Sequence, residues 1–281
     1  MGFINRLKIK LLHYSWVIAY GHYDESIITQ GIDVSKLHIV KNPYKDKWFA
    51  DPFILEESND YIQLLVEEFD KNVGRGRIAR IIIDKEKDII IDCSIVLELP
   101  THLSFPAIYR INGKIYVHPE NYASGRSIIY EYERAIDKLI NPIVISEKPL
   151  TDAVIVNTDK GFKLYSTLGT DPNGSKLSVF FSDSFWGPYE EEGFEQFPNN
   201  TARMAGFFLA TKDGGVVRPA QDCNGAYGKN VIFYNDKVKL GELVPWGVYS
   251  GLHTFNTFEN YFVIDLKKYD YPFILKMKNL V

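Results

Sequence analysis

Acidic side chains beside apolar stretches are the residues of this sequence best suited to chemistry. Asp51 stands in "KWFADPFILEE", between an apolar cluster and Pro52, at the head of an apolar run. A carboxylate there is either a turn residue that begins a strand or a charge placed for function. Clustered carboxylates near arginine and histidine are the setting in which pKa values separate for acid and base roles. The elements that position Asp51 decide between these two interpretations.

Five segments of the chain share one shape: a polar residue, an apolar strand, a short turn and a second apolar strand. Their first strands start near residues 51, 104, 152, 203 and 253. A period of about 50 residues with several strands per unit is typical of a β-propeller. Turns such as "INGK" and "TKDGG" place Asn, Asp or Gly between the strands, as β-hairpins require.

The sequence therefore predicts an all-β fold, a five-bladed β-propeller that forms one domain over residues 1–281. A strand at about residues 15–23 is expected to close the last blade, because an open ring would expose a sheet edge. In a propeller, the starts of the first strands and the ends of the second strands meet on one face. Candidate site residues at these positions are Asp51, Asp152, Arg203 and His253 at strand starts, and Glu68, Glu120, Arg218, Gln221 and Asp222 at strand ends. The same positions of the repeat hold Ser104 at a strand start and Glu67, Ser166 and Asp265 at strand ends.

The overall charge and the cysteine content narrow the classes of partner and compartment. A net charge of −4 argues against nucleic-acid binding, which usually needs a basic surface. Two cysteines without CxxC spacing indicate a reducing cytoplasm. The six histidines show no metal-ligand spacing, so no metal is predicted, although an ion near His253 is an alternative.

The basic N-terminus allows two interpretations. Residues 2–13 could form a short amphipathic helix that is either solvated or in contact with a membrane surface. The second interpretation predicts a cytoplasmic protein that is peripheral at the inner membrane face and suits a lipid-linked acceptor.

Two family resemblances follow from the motifs. "ADPF" at the first blade resembles the five-bladed glycosidases of the arabinanase, xylosidase and fructosidase group, in which such an Asp is a base or nucleophile. A closer likeness covers nearly the whole chain. The following elements resemble the propeller domain at the N-terminus of plant glucosamine inositolphosphorylceramide transferases: "WFADPF", "VEEFD", "GRGRIA", "LSFPAIY", "GKIYVHPE", "RPAQDCNGAYG" and "GLHTFN". Similar bacterial domains occur in surface-polysaccharide settings. The resemblance implies a sugar site.

Three residues are assigned catalytic roles on this basis. We expect Asp51 to be the base, Glu120 to be the acid if the reaction is hydrolysis, and His253 to contact a leaving-group oxygen, a sugar hydroxyl or an ion. Ser104 and Pro106 stand where those glycosidases present an Asp, and no counterpart of their acid Glu lies near Asp152. This departure favours sugar transfer over hydrolysis.

The remaining candidates are expected to bind substrate. Arg203 and Arg218 are predicted anion clamps, because a guanidinium offers a bidentate fork to phosphate or carboxylate. Gln221 and Asp222 suit sugar hydroxyls, and Tyr227 suits the face of a sugar ring. The predicted substrate-binding set is Glu68, Asp152, Arg203, Arg218, Gln221, Asp222 and Tyr227.

Three functions remain open from the sequence. The first is a glycosyltransferase of polysaccharide or glycolipid assembly, which needs no cofactor and takes a nucleotide sugar as donor substrate. The second is a glycoside hydrolase, with furanosides as one candidate substrate class, and the third is a non-catalytic glycan-binding module.

Overall fold

Residues 14–269 are described by the structure, a computed structural model, and most of their regular secondary structure is β-strand. The strands of this range form five sheets, arranged as the five blades of a β-propeller, so the predicted fold class is confirmed. No helix in this range has the length and hydrophobicity needed to cross a membrane. The basic segment 2–13 lies outside the described residues.

The chain enters the propeller through the sheet that it later completes. Strand β1 (Tyr14–His22) is followed by helix α1 (Ile27–Gln30), a 3-10 turn (Val34–Lys36) and strand β2 (His38–Ile39). Strand β1 pairs with β2 on one side and, on the other, with the last strand of the described range, Tyr261–Tyr269. The first and last strands thus share one sheet, which holds the ring closed.

Each of the first four blades is an antiparallel meander of four strands. The first blade contains β3 (Lys47–Glu57), β4 (Tyr61–Asp70), β5 (Arg75–Asp84) and β6 (Ile89–Leu97). The second contains β7 (Ser104–Ile111), β8 (Lys114–Glu120), β9 (Ser127–Glu133) and β10 (Lys138–Ser146), with a 3-10 turn (Tyr122–Ser124) between β8 and β9.

The third blade contains β11 (Leu150–Thr158), β12 (Gly161–Leu168), β13 (Lys176–Ser182) and β14 (Glu190–Gln196). The fourth contains β15 (Leu209–Ala210), β16 (Val216–Asp222), β17 (Asn230–Asn235) and β18 (Val238–Leu243). The fifth contains β19 (Tyr249–Gly251), β20 (Phe255–Phe258) and β21 (Tyr261–Tyr269), together with β1 and β2.

Local sequence explains both the strands and the turns. The inner strand β3 is buried from Trp48 to Leu55, as expected for a strand that neighbouring blades cover on both faces. The turn between β7 and β8 places Asn112 and Gly113 at φ angles of 51° and 77°. Two successive positive φ angles define the tight turn that fits the twist of a hairpin, and Asn-Gly is its preferred sequence.

Aromatic side chains line the channel beneath the polar mouth. Phe53 lies edge to face against Phe105 and Phe207, with ring centroids 4.9 and 5.5 Å apart, and Tyr109 lies 5.3 Å from Phe207. Phe207 reaches the axis because the inner strand of the fourth blade is irregular between Arg203 and Phe208. Phe53 and Phe105 are fully buried, and each such ring contributes about 1.5 to 3 kcal/mol, whereas Phe207 and Tyr109 are half-buried. Together the four rings form a floor for the mouth.

Candidate functional site

The inner strands of the first three blades bend at equivalent points. Asp51, Phe105 and Asp152 have φ angles of 49°, 42° and 47°, and the strand register shifts at each of them. Such a bulge aims one amide and one side chain away from the ladder. Aspartate tolerates the left-handed conformation better than a bulky residue does, so the strain is greatest at Phe105. Strand β3 begins four residues before Asp51, which therefore occupies a bulge within the strand.

Each bulge amide is held by a carboxylate of the preceding blade. The Asp51 amide donates to Asp265 Oδ2 at 2.9 Å, and the Phe105 amide donates to Asp51 Oδ2 at 3.1 Å. The Asp152 amide donates to Glu120 Oε2 at 3.2 Å. A hydrogen bond from an amide to a carboxylate is stronger than one between two neutral groups. These three bonds therefore fix the positions of the carboxylates and also link neighbouring blades.

One part of the mouth, here called the histidine half, consists of Asp265, His253 and Asp51. His253 Nδ1 lies 2.7 Å from Asp265 Oδ1, and His253 Nε2 lies 3.3 Å from Asp51 Oδ1. The amides of His253 and Thr254 also donate to Asp265 Oδ1, which fixes the loop that carries the imidazole. All three side chains are buried. Asp265 orients His253, and His253 faces Asp51.

Burial and charge set the protonation of the histidine half. Burial lowers the pKa of His253, but the carboxylates of Asp265 and Asp51 outweigh it and raise the pKa to about 9. Burial raises the pKa of Asp51 well above its usual value, and His253 opposes part of that rise. A carboxylate with a raised pKa is a stronger base near neutrality. Asp51 Oδ1 is buried, lies 3.3 Å from His253 Nε2 and accepts no hydrogen bond from residues 14–269, so this oxygen keeps an unused acceptor.

Two rings flank the imidazole. Trp16 stacks on His253 with ring centroids 4.0 Å apart, and Tyr227 meets it edge-on at 5.2 Å. Tyr227 also lies 5.2 Å beneath the Arg203 guanidinium. Aromatic faces favour cations, so Trp16 stabilises the protonated imidazole, and Tyr227 contacts both charged groups.

The second part of the mouth, here called the arginine half, consists of Glu120, Asp152, Arg203 and Gln221. Arg203 donates through Nε to Asp152 Oδ2 at 2.6 Å and through Nη2 to Glu120 Oε2 at 3.1 Å. Its third nitrogen donates to Asn173 Oδ1 at 3.0 Å. Gln221 donates to Asp152 Oδ2 at 2.6 Å. These partners occupy the guanidinium.

The two carboxyls of the arginine half are driven apart in pKa. Burial raises the pKa of Glu120 well above its usual value, and the charge of Asp152 adds to the rise. Burial also opposes ionisation of Asp152, but Arg203 lowers its pKa below the usual value. Two carboxyl groups at close range do not both ionise readily, so they share one proton, and here Glu120 carries it.

The structure brings seven of the predicted site residues together at one mouth and leaves three apart. The seven are Asp51, Glu120, Asp152, Arg203, Gln221, Tyr227 and His253. The three are Glu68, Arg218 and Asp222.

Glu68 belongs to an ion cluster on the first blade. Its carboxylate is fully buried and lies 2.7 Å from Lys47 Nζ and 2.9 Å from Arg77 Nε. The neighbouring Glu67 instead contributes to the electrostatic surroundings of Asp51. Successive strand residues point to opposite faces, so only one of the adjacent glutamates turns toward the centre.

Arg218 forms hydrogen bonds with the main chain. It donates to the carbonyl oxygens of Thr201 and Ala202 at 3.1 Å, and its guanidinium lies 4.3 Å from the Phe197 ring and 5.3 Å from the Tyr234 ring. Within residues 14–269 it forms no ion pair. Burial lowers its pKa to about 10. Arg218 therefore supports the segment that leads into Arg203.

Asp222 organises the turn after β16. Its Oδ1 accepts hydrogen bonds from the amide and side chain of Asn224, and its Oδ2 lies 3.4 Å from Lys229 Nζ. Aspartate often caps turns in this way. The position of Asp222 within the repeat does not distinguish a turn-capping role from sugar binding.

Four further residues contribute to the site. The repeat predicted Glu67 and Asp265 at this mouth without a role, and Trp16 and Asn173 were not predicted. Asp265 and Glu67 occupy the ends of second strands, and that phase in the repeat is a signal for both. Trp16 comes from the N-terminal strand, whose alternation indicates a buried face but not a histidine neighbour. Asn173 lies in a loop, and no sequence pattern marks it.

A segment before β7 seals the mouth beside Glu67. Glu67 Oε1 lies 3.2 Å from His102 Nε2, and the Gly76 amide donates to His102 Nδ1 at 2.9 Å. A Cβ on Gly76 would lie 2.4 Å from the Leu103 carbonyl oxygen and 2.8 Å from Glu67 Oε1. Gly76, in the "GRGR" stretch, therefore serves close packing.

The histidine half also has the composition of a cation site. Asp51, His253 and Asp265 each offer one ligand atom, and these atoms lie within 4.8 Å of one another. A histidine must be neutral to ligate a metal. Because the pKa of His253 is raised to about 9, a proton and a metal would compete for Nε2.

Comparison with solved structures shows the fold. GH43B of the Bacteroides ovatus xyloglucan PUL superposes with a TM-score of 0.51 at 13% sequence identity, covering 70% of this chain and 44% of that one. An exo-β-1,3-galactanase of Clostridium thermocellum gives 0.51 at 10% identity, covering 86% and 61%.

Sequence comparison shows the family. Glucosamine inositolphosphorylceramide transferase 1 of Arabidopsis thaliana is 29% identical over 197 residues, which are 66% of this chain and 25% of the plant protein. The protein of that name from Oryza sativa subsp. japonica is 25% identical over 198 residues, 68% of this chain and 26% of its own length. The chain thus spans about a quarter of these curated relatives. Residues 34–242 match the family described as "Glucosamine inositolphosphorylceramide transferase 1, N-terminal", and the chain belongs to this family.

Proposed function

We propose that this protein is a glycan-active enzyme that transfers a sugar from an activated donor to a hydroxyl acceptor at the mouth of the propeller. The observation that carries the proposal is the state of Asp51. Its Oδ1 accepts no hydrogen bond from the described residues, its pKa is raised, and His253 lies 3.3 Å away. Such a carboxylate is suited to remove a proton from a hydroxyl group.

The step conserves atoms and charge. The acceptor oxygen forms a bond to the anomeric carbon of the donor sugar, and its proton passes to Asp51. The bond between that carbon and the phosphate oxygen breaks, and the phosphate leaves with the electron pair. His253, held by Asp265, orients Asp51 and offsets its charge. A nucleotide sugar is the proposed donor, and no separate cofactor is required.

Two further observations favour transfer over hydrolysis. Hydrolysis needs a second carboxyl as an acid. Glu120, predicted for that role, is tied through Oε2 to both Arg203 and the Asp152 amide, which holds it in the arginine half. The family name concerns transfer to inositolphosphorylceramide, which supports a lipid-linked acceptor as the second substrate. A membrane-surface location at the cytoplasmic face is part of this proposal.

The test is an assay of purified protein with a panel of nucleotide sugars and lipid-linked acceptor mimics. We expect transfer by the wild type and a loss of about 10²- to 10⁴-fold in Asp51→Asn, which removes the base but keeps the shape. Asp60→Asn makes the same change at an exposed site and should retain full activity.

Two outcomes would contradict the proposal. Hydrolysis of aryl glycosides without transfer would identify a hydrolase. Glycan binding that survives in Asp51→Asn, with no turnover by the wild type on any donor, would identify a binding module.

A further inference from the structure

Lys267 is a buried lysine without an acidic partner among residues 14–269. Only 8% of its surface is exposed, and no carboxylate of the described range lies within ion-pair distance of its ammonium. Its Nζ lies 4.3 Å from the centre of the Tyr14 ring, 5.6 Å from Tyr269 and 5.8 Å from Trp16. Three aromatic rings therefore surround the charge.

The rings stabilise the cation but leave its hydrogen-bonding capacity unused. A cation–π contact contributes about 0.5 to 2 kcal/mol, whereas removing an ammonium from water costs several kcal/mol. Burial accordingly lowers the pKa of Lys267. An ammonium has three N–H donors, and no hydrogen-bond acceptor in the described range takes one from Lys267. The group is thus suited to an external anion.

Two half-buried lysines of the protein, Lys47 and Lys85, differ in this respect. Lys47 donates to Glu68 at 2.7 Å, and Lys85 donates to the Ser58 carbonyl at 2.7 Å and to Tyr261 at 2.8 Å. Each of them has protein partners that satisfy the charge or its donors. Lys267 lacks such partners within the described chain, so the general need of a folded protein to pair buried charges does not account for it.

Lys267 lies beside the histidine half. It pairs directly with Trp16 across strands β21 and β1, and Trp16 stacks on His253. Asp265 precedes Lys267 by two residues on the same strand, so both side chains point to one face of the sheet. One indole therefore contacts both the imidazole that faces Asp51 and the caged ammonium.

The two arginines predicted to bind an anion are both engaged elsewhere. Arg203 is bound to Asp152 and Glu120, and Arg218 to backbone carbonyls. A phosphate that entered the mouth would need another cation.

We propose that Lys267, with Tyr14, Trp16 and Tyr269, forms the subsite that binds a phosphate group of the substrate. The inference rests on the proposed function, because it supplies the cation for the phosphate that transfer releases. The phosphate belongs either to the diphosphate of the donor or to the phosphodiester of a lipid acceptor, and the test separates these sources.

The test compares two neighbouring charge-removing variants. Lys267→Met keeps the apolar stem and removes the ammonium, and Lys268→Met makes the same change at an exposed residue of the opposite face. We expect inorganic pyrophosphate, titrated calorimetrically, to bind Lys267→Met at least about tenfold more weakly than the wild type. Lys268→Met should bind as the wild type does.

A second arm uses vesicles of phosphatidylcholine with and without phosphatidylinositol. Loss of phosphatidylinositol-dependent binding in Lys267→Met assigns the subsite to the lipid phosphodiester, and loss of pyrophosphate binding assigns it to the donor. Equal binding of both probes by Lys267→Met and the wild type, or binding of neither probe by the wild type, overturns the inference.

Two controls keep the result interpretable. If Lys267→Met fails to fold, carbon-13 labelling of the lysine ε positions in the wild type replaces it, and pyrophosphate or vesicles should shift the Lys267 resonance. Pyrophosphate and vesicle binding are measured without turnover, so failure of the proposed transfer reaction would leave this result unchanged and distinguishable.

Discussion

In the histidine half one imidazole lies between two aspartates, whereas in the arginine half one guanidinium lies between an aspartate and a glutamate. The arginine is always charged and is bound through all three of its nitrogens. The histidine can lose its proton, and its neighbour Asp51 has an oxygen that accepts no hydrogen bond from the described residues. The same fold thus builds two buried charge clusters that share Tyr227 as a neighbour, one with a fully bonded cation and one with an unbonded carboxylate oxygen.

The largest effect is expected from breaking the arginine half. Arg203→Met leaves Asp152 and Glu120 buried without their cation, so the free energy of unfolding should fall by about 3 to 5 kcal/mol. Urea denaturation measures this change. Arg126→Met removes an exposed arginine that pairs with Glu147 and should cost less than about 1 kcal/mol. Similar losses in both variants would contradict a structural role for Arg203.

The histidine half should make the free energy of unfolding depend on pH. The folded pKa of His253 is raised to about 9 from 6.5, so its stabilising contribution is complete below pH 6.5 and is lost as the pH rises through 9. The contribution is on the order of 3 kcal/mol. Denaturation between pH 6 and 10 should show this decline in the wild type and in His38→Gln, an exposed control. His253→Gln should lack it, and parallel curves for all three proteins would argue that His253 is neutral.

The wall beside the histidine half depends on the absence of a side chain. Gly76→Ala would press a methyl group against the Leu103 carbonyl and the Glu67 carboxylate. Overpacking of this kind should lower the free energy of unfolding by about 1 to 3 kcal/mol. Gly193→Ala adds a methyl group with no atom within 4 Å and should change stability by less than about 0.5 kcal/mol. Equal behaviour of the two variants would show that the His102 segment moves freely.

The smallest effect concerns the ring that contacts both halves. Tyr227→Leu should cost about 1 kcal/mol, since it removes aromatic contacts with Arg203 and His253. Tyr227→Phe keeps the ring and should cost less. The comparison is made by thermal and urea denaturation. If Tyr227→Phe costs as much as Tyr227→Leu, the hydroxyl group and not the ring face joins the halves.

The sequence predicts much of this site because the repeat is regular. A period near 50 residues predicts the blades, and the phase within each blade brings Asp51, Asp152, Arg203 and His253 to one mouth. The same phase also selected Arg218 and Asp222, which the structure places in other contacts. Phase predicts the level of a residue along the blade, but not whether its side chain faces the axis or a neighbouring loop.

The sequence by itself determined the all-β propeller, since hairpin turns and strand alternation are local properties that nearby residues fix. It also determined the chemical types available at the mouth. Only the tertiary structure decided which carboxylate meets which cation, because Asp51 lies 214 residues from Asp265 in the chain and Asp152 lies 51 from Arg203. Bulges and ring closure bring these groups within a few ångströms of one another. In these buried surroundings the low dielectric constant strengthens the interaction between charges. In this arrangement one Asp51 oxygen accepts no hydrogen bond from the described residues, whereas all three nitrogens of the Arg203 guanidinium donate one.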